Sequence, residues 1–268
     1  MSEKKVVIIT GASSGIGLAL SRHYAKHNYN VVMVARNKKK LEEYAKELSE
    51  KNEVLAIPTD VSAEEDCKHM VETTIGKFKR IDILINNAGI SMRAMFLDMH
   101  LDVMRRLMDV NFWGTVHCTK YALPHLLKTK GSVVGVSSVA GIHGLPARSG
   151  YSASKFAMQG FLETLRIEHL HQHLHVLIIA PGFTSSNVRK SALTADGSPQ
   201  GDTPRKEEKM TSPEHVAYRI YRAVKQRRRF IAISRTGILV NLIKKFWPAF
   251  LDRMFFRAMK KEPDSPLK

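Results

Sequence analysis

Short continuous runs of Val, Ile and Leu recur along this chain, separated by stretches with helical spacing of apolar residues. The runs span Lys5–Thr10, Asn30–Arg36, Glu53–Asp60, Ile81–Asn87, Gly131–Ser138, His175–Pro181 and Arg229–Ser234. Apolar runs that do not alternate with polar residues read as strands buried on both faces, the condition of a parallel sheet covered by helices. Strand and helix patterns alternate throughout. The expectation is an α/β fold: a doubly wound, seven-stranded parallel sheet with helices on both faces. A chain of 268 residues with 44% apolar content can bury one large core of this kind, so 1–268 reads as a single domain.

Beyond Ser234 the pattern changes. Ile238, Leu239, Val240, Leu242, Ile243, Phe246 and Trp247 crowd a short helix with Lys244 and Lys245, and Pro248 breaks it. Phe250, Leu251, Met254, Phe255 and Phe256 follow, among Arg253, Arg257, Lys260 and Lys261. Residues 237–268 therefore read as an amphipathic helical extension. Apolar-aromatic faces flanked by Lys and Arg suit helices lying in a membrane interface. Contact with a second subunit, or packing beside a substrate pocket, fits the same pattern. Between 185 and 211 the chain turns polar, with Ala195-Asp196-Gly197-Ser198-Pro199-Gln200-Gly201 at its centre, as a surface loop or lid would.

The formal net charge is +17, and 17 of the 42 basic residues against 6 of the 25 acidic ones lie from Thr203 onward. This is a basic tail on a moderately charged body. Arg227-Arg228-Arg229 stands without a recognisable nucleic-acid reading module, so no nucleic-acid partner is expected. Cys67 and Cys118 both fall in predicted helices, which argues for a reducing compartment and against a disulfide framework. The first nine residues lack the apolar segment of a signal peptide, and Lys5–Thr10 is too short to span a bilayer. A cytoplasmic protein without signal peptide or transmembrane helix is the expectation. His169, His171, His173 and His175 alternate where a helix ends, a place the helix dipole favours for imidazoles. No nearby Cys or carboxylate pattern completes a zinc set, so no metal is expected.

Two features carry chemistry. The first strand runs into Gly11-Ala12-Ser13-Ser14-Gly15-Ile16-Gly17, followed by the helical pattern Leu18–His27. Strand, glycine loop and helix N-terminus in that order make an anion site, with backbone N–H groups and the helix dipole directed at a pyrophosphate. The second is Tyr151-Ser-Ala-Ser-Lys155, thirteen residues after Ser138. Positions i and i+4 share a helix face, so Lys155 stands beside the Tyr151 hydroxyl. A free phenol, with a pKa of about 10, trades protons poorly near neutrality, and a neighbouring cation favours the phenolate. Ser138 supplies a hydroxyl donor for a substrate oxygen.

With these motifs in view, the chain over about residues 5–235 resembles the short-chain dehydrogenase/reductases, a Rossmann-type family. The resemblance implies that Gly11, Ser13, Ser14, Gly15, Ile16 and Gly17 form the cofactor loop and that Asp60 and Val61 contact adenine. It implies that Asn86-Asn87-Ala88-Gly89 closes over the adenosine side. Asn111, Ser138, Tyr151 and Lys155 take the catalytic positions; Tyr151 and Lys155 also meet the cofactor, and Asn111 kinks a helix and anchors a water. Pro181 and Gly182 precede the segment that holds the nicotinamide carboxamide, through the Thr184 backbone N–H and Ser186, where the family usually has threonine. The family's oligomers imply a homodimer or homotetramer. The tail and the Thr194–Ser198 segment resemble membrane-associated members related to 11-beta-hydroxysteroid dehydrogenase.

The second strand ends Val34-Ala35-Arg36-Asn37, without the acidic residue that would bind the ribose of NAD(H). Arg36 offers a fork suited to a 2′-phosphate, so the cofactor expected is NADP(H). The reading is an NADP(H)-dependent carbonyl reductase with a bulky apolar small-molecule substrate. The alternatives are a non-catalytic NADPH-binding sensor or a membrane-docked scaffold.

Overall fold

A computed structural model of the chain describes residues 4–49, 52–185, 188, 191–201, 210–262 and 265–267. Seven strands, β1 (Val6–Thr10), β2 (Asn30–Ala35), β3 (Val54–Pro58), β4 (Ile83–Asn86), β5 (Ser132–Val136), β6 (His175–Ala180) and β7 (Phe230–Ala232), form one parallel sheet. Their order is β3-β2-β1-β4-β5-β6-β7. The observed strands lie inside the seven expected ranges. β3, β4, β5 and β7 each fall three residues short of their expected range, which leaves three residues in β7.

Period-two geometry divides each central strand between two cores. Val7 and Ile9 face α1 (Gly15–Lys26), α2 (Lys38–Leu48) and α7 (Pro213–Lys225), where Leu20, Tyr24, Leu41, Val216 and Ile220 are buried. Val6 and Ile8 face the other way, onto α3 (Glu64–Phe78), α5 (Gly114–Lys128) and α6 (Ser149–Glu168), among Met70, Leu126, Met158 and Leu162. Two-sided burial is why these strands carry unbroken apolar runs.

Three local features shape the surroundings of the strand ends. At Gly135 a Cβ would stand 2.3 Å from Leu162 Cδ1, so α6 lies against bare backbone of β5 here and any larger residue would displace the Leu162 side chain. Between α4 (Leu101–Met108) and α5 the chain makes a π-helical turn, Asp109–Trp113, with Asn111 fully buried in it. Finally, α8 (Arg235–Ile243) and α9 (Pro248–Lys260) fold back onto the body, where Val240 and Leu251 are buried with Val139, Ile142, Ala180 and Ala232.

Candidate active site

The sheet order reverses between β1 and β4, and a ligand crevice opens outside the carboxyl ends of the strands at such a point. A cleft of about 420 Å³ lies along these strand ends. Gly11, Ser13, Ser14, Gly15 and Ile16 line one end with Arg36, Asp60, Val61, Asn87, Ala88 and Gly89. Ser138, Tyr151, Lys155, Pro181, Gly182 and Thr184 line the rest. The predicted residues thus converge, with three exceptions. Gly17 stands behind the loop, Asn111 is buried beneath the cleft, and Ser186 lies outside the described residues.

The glycine loop has the form of a cradle. Gly11 and Gly15 adopt φ of +67° and +51°, the left-handed region that favours glycine. A Cβ on Gly17 would sit 2.1 Å from the Gly11 carbonyl oxygen, so the loop folds against the first turn of α1 only with glycine there. Ser14 caps α1 without a side-chain hydrogen bond, leaving first-turn N–H groups for a ligand at the cleft. Thr10 locks this loop to the strand beside it. Its hydroxyl accepts from the backbone N–H groups of Asn87 and Ala88, both at 2.9 Å, and the Asn87 amide donates to the Thr10 carbonyl at 2.8 Å.

At the end of the cleft beyond β2, Arg36 is exposed on the lip and makes no hydrogen bond or ion pair among the described residues. Burial alone would raise the Asp60 pKa, but hydrogen bonds from the Ser62 hydroxyl and backbone N–H, with the charge of Arg36, hold it below the ordinary carboxylate value. A cation and an ionised carboxylate therefore share this lip. The residues present fit a dinucleotide carrying an anionic pyrophosphate.

At the other end, Ser137 and Ser138 are distinguished by their partners. Ser137 Oγ accepts from Gln159 Nε2 at 2.8 Å and is buried, whereas Ser138 Oγ accepts from Ala140 N at 3.2 Å and lowers the Tyr151 pKa through its hydroxyl. Lys155 donates to the Val136 carbonyl at 2.9 Å, and burial pulls its pKa down to about 8. Asn111 ties three segments together: its Oδ1 accepts from Ile90 N at 2.9 Å, and its Nδ2 donates to Ile90 O and to Ser154 Oγ. These bonds account for the buried amide in the π-helical turn.

Burial, the largest influence on Tyr151, raises its pKa, and the Ser138 hydrogen bond and the charge of Arg148 oppose it. Lys155 Nζ stands over the Tyr151 ring, 5.8 Å from its centroid, while donating to the Val136 carbonyl. Arg148 carries no signal in the sequence. It ends in the cleft by donating to Ser91 Oγ at 2.9 Å and to Met92 O, partners more than fifty residues away that no sequence spacing reveals.

The segment 185–211, expected as a lid, is anchored where it is described. Leu193 N donates to Ser91 O, Arg93 N to Leu193 O and His100 N to Ala195 O, while Arg106 holds Gly197 O at 3.0 Å. Part of 185–211 lies outside the described residues. The tail is also attached near the site: His143 pairs with Asp252 at 3.0 Å, and Arg93 pairs with Glu262 at 3.4 Å, both of the latter nearly buried. The outer face of the tail stays open, with Phe246 73% and Trp247 69% exposed. Among the described residues no helix is long and apolar enough to cross a membrane, and no group of three or more His, Cys, Asp or Glu is placed to hold a metal ion. His175 instead pairs with Ser132 Oγ and with the Arg228 carbonyl.

Residues 5–197 match the family model for short chain dehydrogenases. An 11-beta-hydroxysteroid dehydrogenase-like 2 of Arabidopsis thaliana is 44% identical over 69% of this chain, a match spanning 60% of that relative's length. Dehydrogenase/reductase SDR family member 7B of Danio rerio is 32% identical over 96% of this chain and 85% of its own. An alcohol dehydrogenase from the archaeon Thermococcus sibiricus, solved with 5-hydroxy-NADP, is similar with a TM-score of 0.75 at 25% identity, covering 86% of this chain and 96% of that one. A short-chain dehydrogenase/reductase from Burkholderia phymatum, solved with NAD, shares the fold with a TM-score of 0.82 at 20% identity, covering 95% and 97%.

Proposed function

The chain belongs to the short-chain dehydrogenase/reductases, a family of oxidoreductases, and we propose that it is an NADP(H)-dependent carbonyl reductase acting on a bulky apolar ketone or aldehyde. The observation that carries this reading is the convergence of Ser138, Tyr151 and Lys155 on the cleft whose other end is the glycine cradle. The reduced nicotinamide, when bound, supplies the hydride. Ser138 donates a hydrogen bond to the substrate oxygen as it takes on alkoxide character. Tyr151 passes its proton to that oxygen, and Lys155, with a pKa near 8, replenishes it near neutral pH. Asn111 holds the 90–91 segment and α6 in register around these groups.

Arg36, exposed and without an ion pair among the described residues, supports NADP(H) over NAD(H), since a 2′-phosphate would satisfy its fork. The names of the relatives called 11-beta-hydroxysteroid dehydrogenase or its likeness support an apolar substrate. The test is NADPH oxidation across carbonyls graded from small ketones through acyl thioesters to steroids and long-chain lipid ketones, with wild type and Tyr151→Phe. A rate that rises with apolar bulk and disappears in Tyr151→Phe is expected. Turnover that survives the substitution would sink the mechanism. Tight NADPH binding without turnover on any carbonyl would favour the sensor.

The outer face of α8 and α9 supports peripheral contact with an anionic lipid surface by a cytoplasmic protein. Leu242, Phe246, Trp247 and Phe250 are exposed there beside Lys244, Lys245 and Arg253. Wild type should sediment with vesicles containing phosphatidylserine, and Phe246→Ser/Trp247→Ser should not. Concentration-dependent dimerisation lost in the same variant, without vesicle binding, would assign the face to a second copy.

A further inference from the structure

Gln159 lies one turn beyond Lys155 on the same face of α6, and neither the glycine cradle nor the proton transfer uses it. We propose that Gln159 is a positioning residue of the reduction: by pinning the Ser137 hydroxyl to α6, it fixes the direction in which Ser138 presents its own hydroxyl to the cleft. The inference rests on the reductase reading and names a residue outside the Asn111, Ser138, Tyr151 and Lys155 set.

The geometry at the end of β5 leads there. Val133 is buried in one core with Leu162, and the bare backbone of Gly135 lies against the Leu162 side chain, so the odd positions of this strand face α6. Val134 and Val136 belong to the core on the other side of the sheet. Ser137 continues the row that faces α6, where Gln159 Nε2 donates to its Oγ at 2.8 Å. Ser138 follows in extended backbone, with φ −165° and ψ 167°, so its side chain turns away from the Gln159 side and lines the cleft. The Ser137 backbone is held as well, its N–H donating to the Ile179 carbonyl at 2.7 Å. With Lys155 on the Val136 carbonyl at 2.9 Å, two successive turns of α6 grip the two residues that precede Ser138.

Two further features show that the contact is enclosed on every side. The first is Gly141, which closes the 3₁₀ turn Val139–Gly141 just past Ser138. A Cβ there would stand 2.2 Å from Gln159 Nε2, 2.4 Å from Ser137 Oγ and 3.1 Å from Lys155 Cβ, so the turn covers the pair with bare backbone. The second is the setting of the amide itself. Gln159 is half-buried on a helix whose neighbouring Met158 and Leu162 are in the core, and Ser137 is buried. A carboxamide and a hydroxyl taken out of water need partners, and here each serves the other. An apolar side chain at 159 would fill the same space and leave Ser137 without its donor.

The experiment is a kinetic cycle on a carbonyl that the wild type reduces, joined to two crystal structures that need no substrate. Gln159→Met keeps the length of the side chain and removes the donor. It is expected to lower kcat about tenfold and leave the NADPH dissociation constant within about twofold, a smaller loss than removal of the Ser138 hydroxyl. Ser137→Ala should match it, and the Gln159→Met/Ser137→Ala double variant should fall no further. In a Ser138→Ala background, Gln159→Met should add less than about a twofold loss, because the group it positions is gone. The same loss repeated on top of Ser138→Ala would overturn the inference, since a merely structural role adds where a positioning role does not. So would an undiminished kcat in Gln159→Met. The crystal structures of wild type and Gln159→Met should place Ser138 Oγ about 1 Å apart, or in different rotamers, with α6 unmoved. A Ser138 side chain unchanged in the variant would also overturn the inference. If Gln159→Met does not fold, Gly141→Ala takes its place in every arm, because its Cβ would part the Gln159 amide from the Ser137 hydroxyl. A wild type that reduces no carbonyl would overturn the reductase reading and leave the brace to be decided by the two crystal structures.

Discussion

At the scale of single residues, the parts of the site that depend on local geometry are readable in the sequence, and those that depend on distant partners are not. Gly11, Gly15 and Gly17 announce themselves by spacing, because a phosphate cradle needs backbone without side chains. Tyr151 and Lys155 follow from helical periodicity. Arg148 looks like any surface arginine until Ser91 and Met92 come to meet it. The phenol's environment is hidden for a similar reason: burial is a property of the folded pocket, and it outweighs the Ser138 hydrogen bond and the charge of Arg148 that oppose it. Gly17 tests the cradle most directly. The atom its Cβ would strike, at 2.1 Å, is the Gly11 carbonyl oxygen, backbone that also accepts from Asn87 Nδ2 and cannot swing aside as a side chain could. Gly17→Ala should weaken NADPH binding at least tenfold in a fluorescence titration, with a melting temperature lower by several degrees. Arg36→Asp, on the exposed lip, should keep the melting temperature and shift preference from NADPH toward NADH by roughly tenfold or more, read as the ratio of the two dissociation constants.

At the scale of elements, every strand is visible as an apolar run because a parallel sheet buries both faces of each. Their ends are overestimated, since the residues just past a strand's last bond, such as Ser138 and Pro181, still line the cleft and read as part of it. In the tail the periodicity marks two amphipathic helices and cannot say which face turns inward. Leu251 and Phe250 are neighbours in sequence and opposite in fate: Leu251 is fully buried over Val139 and Ile142, and Phe250 is exposed. Leu251→Ala should therefore cost about 2–5 kcal/mol in urea unfolding, while Phe250→Ala stays within about 0.5 kcal/mol of wild type. Because Val139 and Ile142 follow Ser138 directly, Leu251→Ala should also lower turnover. Phe250→Ala should leave it intact. Equal losses in both would mean that α9 does not pack on the segment after Ser138 as described.

At the scale of the whole molecule, the strand order and the charge act together. The order brings six strand ends to one crevice, so residues scattered from Gly11 to Thr184 become a single site. That convergence follows from topology, and topology is legible because helical stretches separate every pair of successive strands up to Ser234. The net charge of +17 sets a background in which each further proton is unwelcome. Three histidines make this testable. Burial lowers the pKa of His23, with the charge of His27 adding to it; burial likewise lowers His125 and His175 below their ordinary value of 6.5. A histidine whose native pKa is depressed binds fewer protons folded than unfolded. Stability then rises with pH through that window, is fully present above about 6.5, and is lost as pH falls toward the native values. The melting temperature should accordingly drop by roughly 2–5 °C between about pH 7.5 and about pH 5.5. The largest single share should trace to His175, which is buried and bonded through both ring nitrogens, to Ser132 and to the Arg228 carbonyl. Protonating it forces a donor onto the Ser132 hydroxyl and puts a charge beside Arg227. His175→Gln should lower stability at pH 7.5 by the loss of one buried contact and make the slope against pH shallower. A slope unchanged in that variant would assign the acid sensitivity to His23, His125 and the overall positive charge, and raising the salt concentration would then relieve most of it.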